Sequence, residues 1–223
     1  SINYEKSLNR LLEIYYYIDE IVDLSTKTDC LAVFIRKTVS FQKKHPALES
    51  ERLVEEAYSY LISNIQLLLD GCAFHYEVLK NILKSLARID DNHTRTSLEI
   101  CKKMNVKMRR ELGYHEILFA YLRNDNKVIC DDLFLEIYNS IEDRDNKNDV
   151  IAKLLDMFVS DSTIRVSNNI LRKVYDDIDV INDSIIKCYC YVRTAILYEK
   201  TDNDILSYMS NSQQSLSLSW NNI

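Results

Sequence analysis

The chain has 223 residues with two glycines and one proline, 47% hydrophobic and 28% charged residues, and a formal net charge of -6. Average usage is roughly 7% Gly and about 5% Pro, and this scarcity excludes the Walker loop, the dinucleotide-binding turn and the nucleophile elbow, which each need several glycines within a few residues. The acidic balance argues against general nucleic-acid binding, no apolar run reaches the ~18 residues of a membrane span, and no signal-peptide pattern opens the chain, so the expectation is a cytoplasmic globular protein.

Apolar positions recur at three- and four-residue steps nearly throughout, which predicts helices. Residues 4–24 carry Leu8, Leu11, Leu12, Tyr15, Ile18, Ile21 and Val22 on one stripe. Asp29 or Thr28 is the expected cap of a second helix holding Leu31, Phe34, Ile35 and Val39. Pro46 sits in a loop, Ser50 opens a third helix, and Asp70-Gly71 stops it. A fourth stretch, 73–89, carries Phe74, Val78, Ile82, Leu86 and Ile89. Thr96 with Glu99 reads as a capping box for a fifth helix running to about Leu122. Residues 128–141 form a sixth, EDRDNKND reads as a solvated loop, and 149–160, about 162–181 and 183–200 complete nine. These nine form one helical domain over 1–200, and the Ser/Asn-rich remainder, 201–223, reads as a flexible tail.

Few residues suggest chemistry. Cys72 and His75 have metal-like spacing, with His93 and Cys101 following, but no second close pair completes a ligand set. Cys188 and Cys190 stand two apart on a helix and face different directions. The six cysteines read as reduced and mostly buried. Asp143, Asp145 and Asp149 resemble a calcium loop, but the central glycine is missing and Leu154 stands where the bidentate Glu belongs. His115 is an ordinary helix histidine. Tyr15, Tyr16 and Tyr17 cover most of a helix circumference and fit either an interface or core plus surface. No nucleophile or acid–base set emerges, and no metal or cofactor is expected.

Several segments in collinear order resemble the 14-3-3 adaptors. TDCLAVFIRKTV (28–39) is similar to that family's second helix, ALESERLVEEAYSYLISN (47–64) to the start of its third, and YHEILFAYLRNDNK (114–127) to its fifth. VYDDI (174–178) fits the eighth and DSIIKCYCYVRTAILY (183–198) the ninth, while 69–105 is shorter than the family's fourth-helix region. The resemblance implies an antiparallel all-α cup with a concave groove that takes a phosphoserine or phosphothreonine segment, clamped by Arg and Lys through charge-assisted hydrogen bonds. It also implies a homodimer formed through the first helices.

Residue by residue, the clamp is degenerate. The family's lysine and arginine on the third helix fall at Ser59 and Gln66, and its Arg-Tyr pair on the fifth at Glu116 and Ile117, or at Tyr114 and His115 after a two-residue slip. Arg109 retains a basic groove position. The backbone-binding asparagines fall at Asp156 and Thr194, two aliphatic groove positions at Lys187 and Cys190, and the tryptophan at Tyr198. In the dimer contact, Ser25 and Lys27 take the small and basic places, Cys30 takes the acidic one, and Leu11, Ile14, Ile18, Ile21 and Leu68 supply the apolar face.

The expectation is a non-enzymatic adaptor that binds partner protein segments, with phosphopeptide binding weak or altered. One rival keeps phosphopeptide binding through a displaced cluster of Lys103, Arg109 and Arg110. Another is a helical scaffold acting through the Tyr-rich first helix, and an enzyme is the weakest reading. The tail, with Leu206, Leu216, Leu218 and Trp220 among serines, is expected to lie in or near a groove.

Overall fold

The computed structural model describes residues 2–45, 48–123, 129–161 and 164–200, with the side chains of 2–4, 48–49, 72–74 and 198–200 left aside. The tail, Pro46 and the 124–127 turn lie outside these residues. Among the described residues there are ten α-helices and no strand. In chain order they are α1 (Ile2–Asp19), α2 (Leu24–Gln42), α3 (Leu48–Asp70), α4 (Cys72–Ala87), α5 (Asp91–Lys102), α6 (Lys107–Leu122), α7 (Asp131–Asn139), α8 (Arg144–Ser160), α9 (Asn168–Ile178) and α10 (Ser184–Lys200). They gather in two compact units, Ser1–Glu142 and Asp143–Ile223.

In the first unit α4 is the central helix, packing against α2, α3, α5 and α6. Its Leu79, Ile82, Leu83 and Leu86 recur at helical spacing and are all fully buried. Burying each such side chain contributes about 1.5–3 kcal/mol. Hydroxyls anchor α5 against α4: Ser97 Oγ donates to the Leu83 carbonyl at 2.9 Å and Thr94 Oγ1 to the Ala87 carbonyl at 3.2 Å. Tyr121 is fully buried, and its hydroxyl donates to Asp91 at 3.0 Å and accepts the Cys130 backbone N–H at 3.0 Å. One atom thus joins the first turn of α5, the end of α6 and the entry to α7.

Both glycines stand where a Cβ has no room. A Cβ on Gly113 would lie 2.5 Å from Cys101 Sγ, and one on Gly71 would lie 2.6 Å from His75 Cδ2. Gly71 joins α3 directly to α4, whose first turn is kinked at His75 (φ -98°, ψ 17°) while His75 Nδ1 and Ser25 Oγ share a 2.9 Å hydrogen bond.

In the second unit α8, α9 and α10 pack together, with Ile151, Leu154, Ile170, Val174, Ile178 and Cys190 at the centre. Arg144 Nη2 donates to the Val180 carbonyl and to Asn182 Oδ1, both at 2.8 Å, fastening the start of α8 to the connection between α9 and α10.

The helix starts correct several sequence expectations. The cap of α2 is Asp23, whose carboxylate accepts the Thr26 N–H at 2.7 Å, and Thr28 lies inside the helix with its hydroxyl on the Leu24 carbonyl. The expected helix from Thr96 to Leu122 is two helices. Asp90 starts α5, Thr96 sits in its interior with its hydroxyl donating to the Asn92 carbonyl, and the chain breaks at 103–106, where Arg110 Nη1 donates to the Met104 carbonyl at 2.7 Å. EDRDNKND is not all loop, because Asp143 caps α8 and Arg144 begins it. The helix expected over about 162–181 is α9, which starts later, at Asn168, where Ser167 caps it.

The Asp90 cap carries a pH dependence. Its carboxylate meets the His93 ring at 2.9 Å and accepts the His93 N–H at 2.9 Å, and the side-chain hydrogen bond from His93 holds its carboxyl down at about 2. A carboxyl below its ordinary value contributes stability above its unfolded pKa and loses it as pH falls through the folded value. The side chain is half exposed, so screening reduces the effect. Asp90→Ala should cost about 0.5–2 kcal/mol at neutral pH and flatten the stability loss between about pH 4 and about pH 2, read from urea midpoints across that range. A variant with an unchanged acid limb contradicts this assignment.

Candidate functional site

The positions that the resemblance assigns to the phosphate clamp lie on α3 and α6. Ser59 and Gln66 are exposed on α3. The Ser59 carbonyl accepts Ser63 Oγ at 2.8 Å, and Gln66 Nε2 donates to Asp70 Oδ1 at 2.7 Å. On α6, Glu116 is half-buried and pairs with Lys84 of α4 at 3.3 Å. Ile117 is fully buried and belongs to the core, so no groove wall is built from it. In the slipped register Tyr114 is also buried, its hydroxyl proton held more tightly by that burial, and the His115 ring packs 4.7 Å from Phe119.

Beside Glu116 runs a mixed polar face shared by α4 and α6. The Arg109 guanidinium lies 5.1 Å from the centre of the Tyr76 ring, and Lys80 Nζ lies 6.0 Å from it. Lys80 pairs with Glu77. Burial, then the Glu116 and Glu77 charges, push the Tyr76 hydroxyl pKa up. Three cations therefore face two carboxylates and an aromatic ring, so the field here is nearly balanced. Of the displaced cluster, Arg110 is committed to the Met104 carbonyl, and Lys103 is exposed.

The other positions that the resemblance assigns to a groove, apart from Arg109, fall in the second unit. Asp156 of α8 accepts the Tyr189 hydroxyl at 2.5 Å and lies 2.6 Å from Arg193 Nε, both on α10. Lys187 Nζ donates to the Asp179 carbonyl at 2.8 Å. The hydroxyl of Thr194 is buried on the Cys190 carbonyl at 2.8 Å. Cys190 is fully buried, and burial followed by the Asp156 charge pushes its thiol up to about 11, which leaves it protonated and unreactive near neutrality. Tyr198 falls on α10, its side chain outside the described residues.

The positions proposed for a dimer contact divide. Ile18 and Leu68 are buried in the first unit's own core, and Leu11 and Ile21 are half-buried. Ile14 is 48% exposed. The Ser25 hydroxyl is taken up by His75. Lys27, in the basic place, pairs within the chain: Nζ donates to the Asp19 carbonyl at 2.7 Å and to its carboxylate at 2.8 Å, and lies 4.6 Å from the Tyr60 ring centre. Cys30 is half-buried, with its thiol pushed up by burial. Sequence reasoning missed Asp19 as the acid for Lys27, although the two lie only eight residues apart. It also did not divide the tyrosine run. Tyr15 packs on Phe34 with ring centres 5.5 Å apart, and Tyr16 and Tyr17 are exposed, as is Val22.

Among the described residues no group of three or more His, Cys, Asp or Glu is placed to hold a metal ion. Asp143 is a helix cap, and Asp145 and Asp149 are exposed on α8. No helix among these residues is long and apolar enough to cross a membrane. The chain matches no protein-family model, no curated protein and no solved structure, and its likeness to the 14-3-3 adaptors stands on the residues quoted above.

Proposed function

We propose that this chain is a divergent 14-3-3-like adaptor, a cytoplasmic, non-enzymatic protein that binds partner protein segments and has largely lost the phosphoserine clamp. One observation carries the reading: the three positions that should be cationic hold Ser59, Gln66 and Glu116, and the last two are already engaged by Asp70 and Lys84. Hydrogen bonds to charged groups contribute roughly 1.5–3 kcal/mol each, so a phosphate meeting neutral groups and a carboxylate loses most of its affinity. Two copies meet through the outer side of α1, where Ile14, Tyr16 and Tyr17 are exposed.

Calorimetry with a phosphoserine peptide carrying an upstream arginine tests this. The unmodified chain should bind weakly. The triple variant Ser59→Lys, Gln66→Arg, Glu116→Arg should gain at least about 100-fold, the equivalent of one strong restored contact, helped by releasing Lys84 from its acid. Low-micromolar binding by the unmodified chain sinks the loss-of-clamp reading and favours a displaced site around Lys103 and Arg109.

A further inference from the structure

Helix α10 has two apolar faces. Cys190, Thr194 and Leu197 turn inward and are buried. Ile185, Cys188, Tyr189, Val192 and Ala195 recur at helical spacing on another side, and all are exposed, Ile185 at 81% and Val192 at 54%. A surface helix ordinarily places polar residues there. Of the described charged side chains of α10, Lys187 is drawn aside to Asp179, while Arg193 pairs with Asp156 and lies against Tyr189, its guanidinium 5.3 Å from the ring centre. Beside that contact Ile185, Cys188, Val192 and Ala195 leave an uncharged stripe, the kind of surface that marks a docking site.

We propose that the chain's own C-terminal segment covers this stripe, with Leu216, Leu218 and Trp220 laid along it. The segment 205–223 contains no charged residue, in a chain that is 28% charged. Its Leu-Ser-Leu-Ser-Trp run alternates, so an extended backbone places the three apolar side chains on one face. From 216 to 220 that run spans ~13 Å at ~3.3 Å per residue. Ile185 to Val192 spans ~10.5 Å along the helix, and Ile185 to Ala195 spans ~15 Å. Residues 201–215 join the end of α10 to the run, and random-coil statistics give a chain of that length a span of ~21 Å. The return from Lys200 to the level of Val192 is only ~12 Å. Tethering supplies an effective concentration of about 1 mM, so an intrinsic Kd of about 0.1 mM occupies the stripe about nine-tenths of the time. This inference does not depend on the groove reading.

Trp220 is the only tryptophan, so its emission in the full chain reports the segment directly. Expected is emission to the blue of the urea-unfolded chain, independent of protein concentration, moving to the red in Val192→Asp. In a second full-length variant, Leu216→Ser, Leu218→Ser and Trp220→Ser together, alkylation of Cys188 read by peptide mapping should speed up about tenfold. Emission equal to that of the unfolded chain overturns the proposal, as does blue-shifted emission that Val192→Asp leaves in place. Protection of Cys188 that rises with protein concentration also overturns it and assigns the stripe to a second copy.

Discussion

Leu83→Ala is expected to cost about 2–5 kcal/mol of stability. Leu83 is fully buried on the central helix of the first unit, in a row with Leu79, Ile82 and Leu86. Truncation removes the transfer free energy of the lost carbons and adds a cavity term wherever the surroundings cannot close in. Closure is restricted here, because the Leu83 carbonyl is tied to Ser97 of α5 and its Cδ1 borders the Gly113 contact. Urea unfolding followed by circular dichroism reads the loss, with exposed Leu67→Ala as a control that should stay within about 0.5 kcal/mol. A loss for Leu83→Ala below about 1 kcal/mol is incompatible with this packing.

Gly113→Ala should destabilise by about 1–3 kcal/mol, against the roughly 1 kcal/mol that alanine ordinarily gains over glycine in a helix. The new methyl would sit 2.5 Å from Cys101 Sγ, 3.3 Å from Leu83 Cδ1 and 3.7 Å from Met104 Sδ. The sulfur has little freedom to leave, since it is buried and donates to the Arg110 carbonyl at 3.3 Å. Removing the sulfur makes room for the methyl, so Cys101→Ala combined with Gly113→Ala should recover at least about 1 kcal/mol relative to the sum of the single losses. Additive losses would show that the two side-chain positions do not share the space.

Helix content was legible in the sequence because long apolar stripes need no long-range information. Helix starts were less so. Lys27 and Thr28 face inward on α2 as polar residues, satisfied by Asp19 and by the Leu24 carbonyl, and they interrupted the stripe that would have led back to Asp23. The break between α5 and α6 carries neither glycine nor proline, and the Arg110 side chain that satisfies the Met104 carbonyl leaves no local pattern. The site divides similarly. That Ser59, Gln66 and Glu116 carry no positive charge could be read directly from residue type. The burial of Ile117 and Cys190 could not, because an apolar residue at helical spacing suits a groove wall and a core equally. The partners of Glu116 and Asp156 come from other helices, which only tertiary packing brings near.

The Tyr121 hydroxyl gives the chain a place where its length is free to drift. Asp91 and the Cys130 backbone are both referenced to that one oxygen, so a contact spanning the 123–129 connection holds the start of α7. Doubling such a connection adds only about 0.6 kcal/mol of closure entropy. Insertions there should accumulate in evolution with little selection against them, and an epitope tag or a fluorescent reporter belongs at the same point.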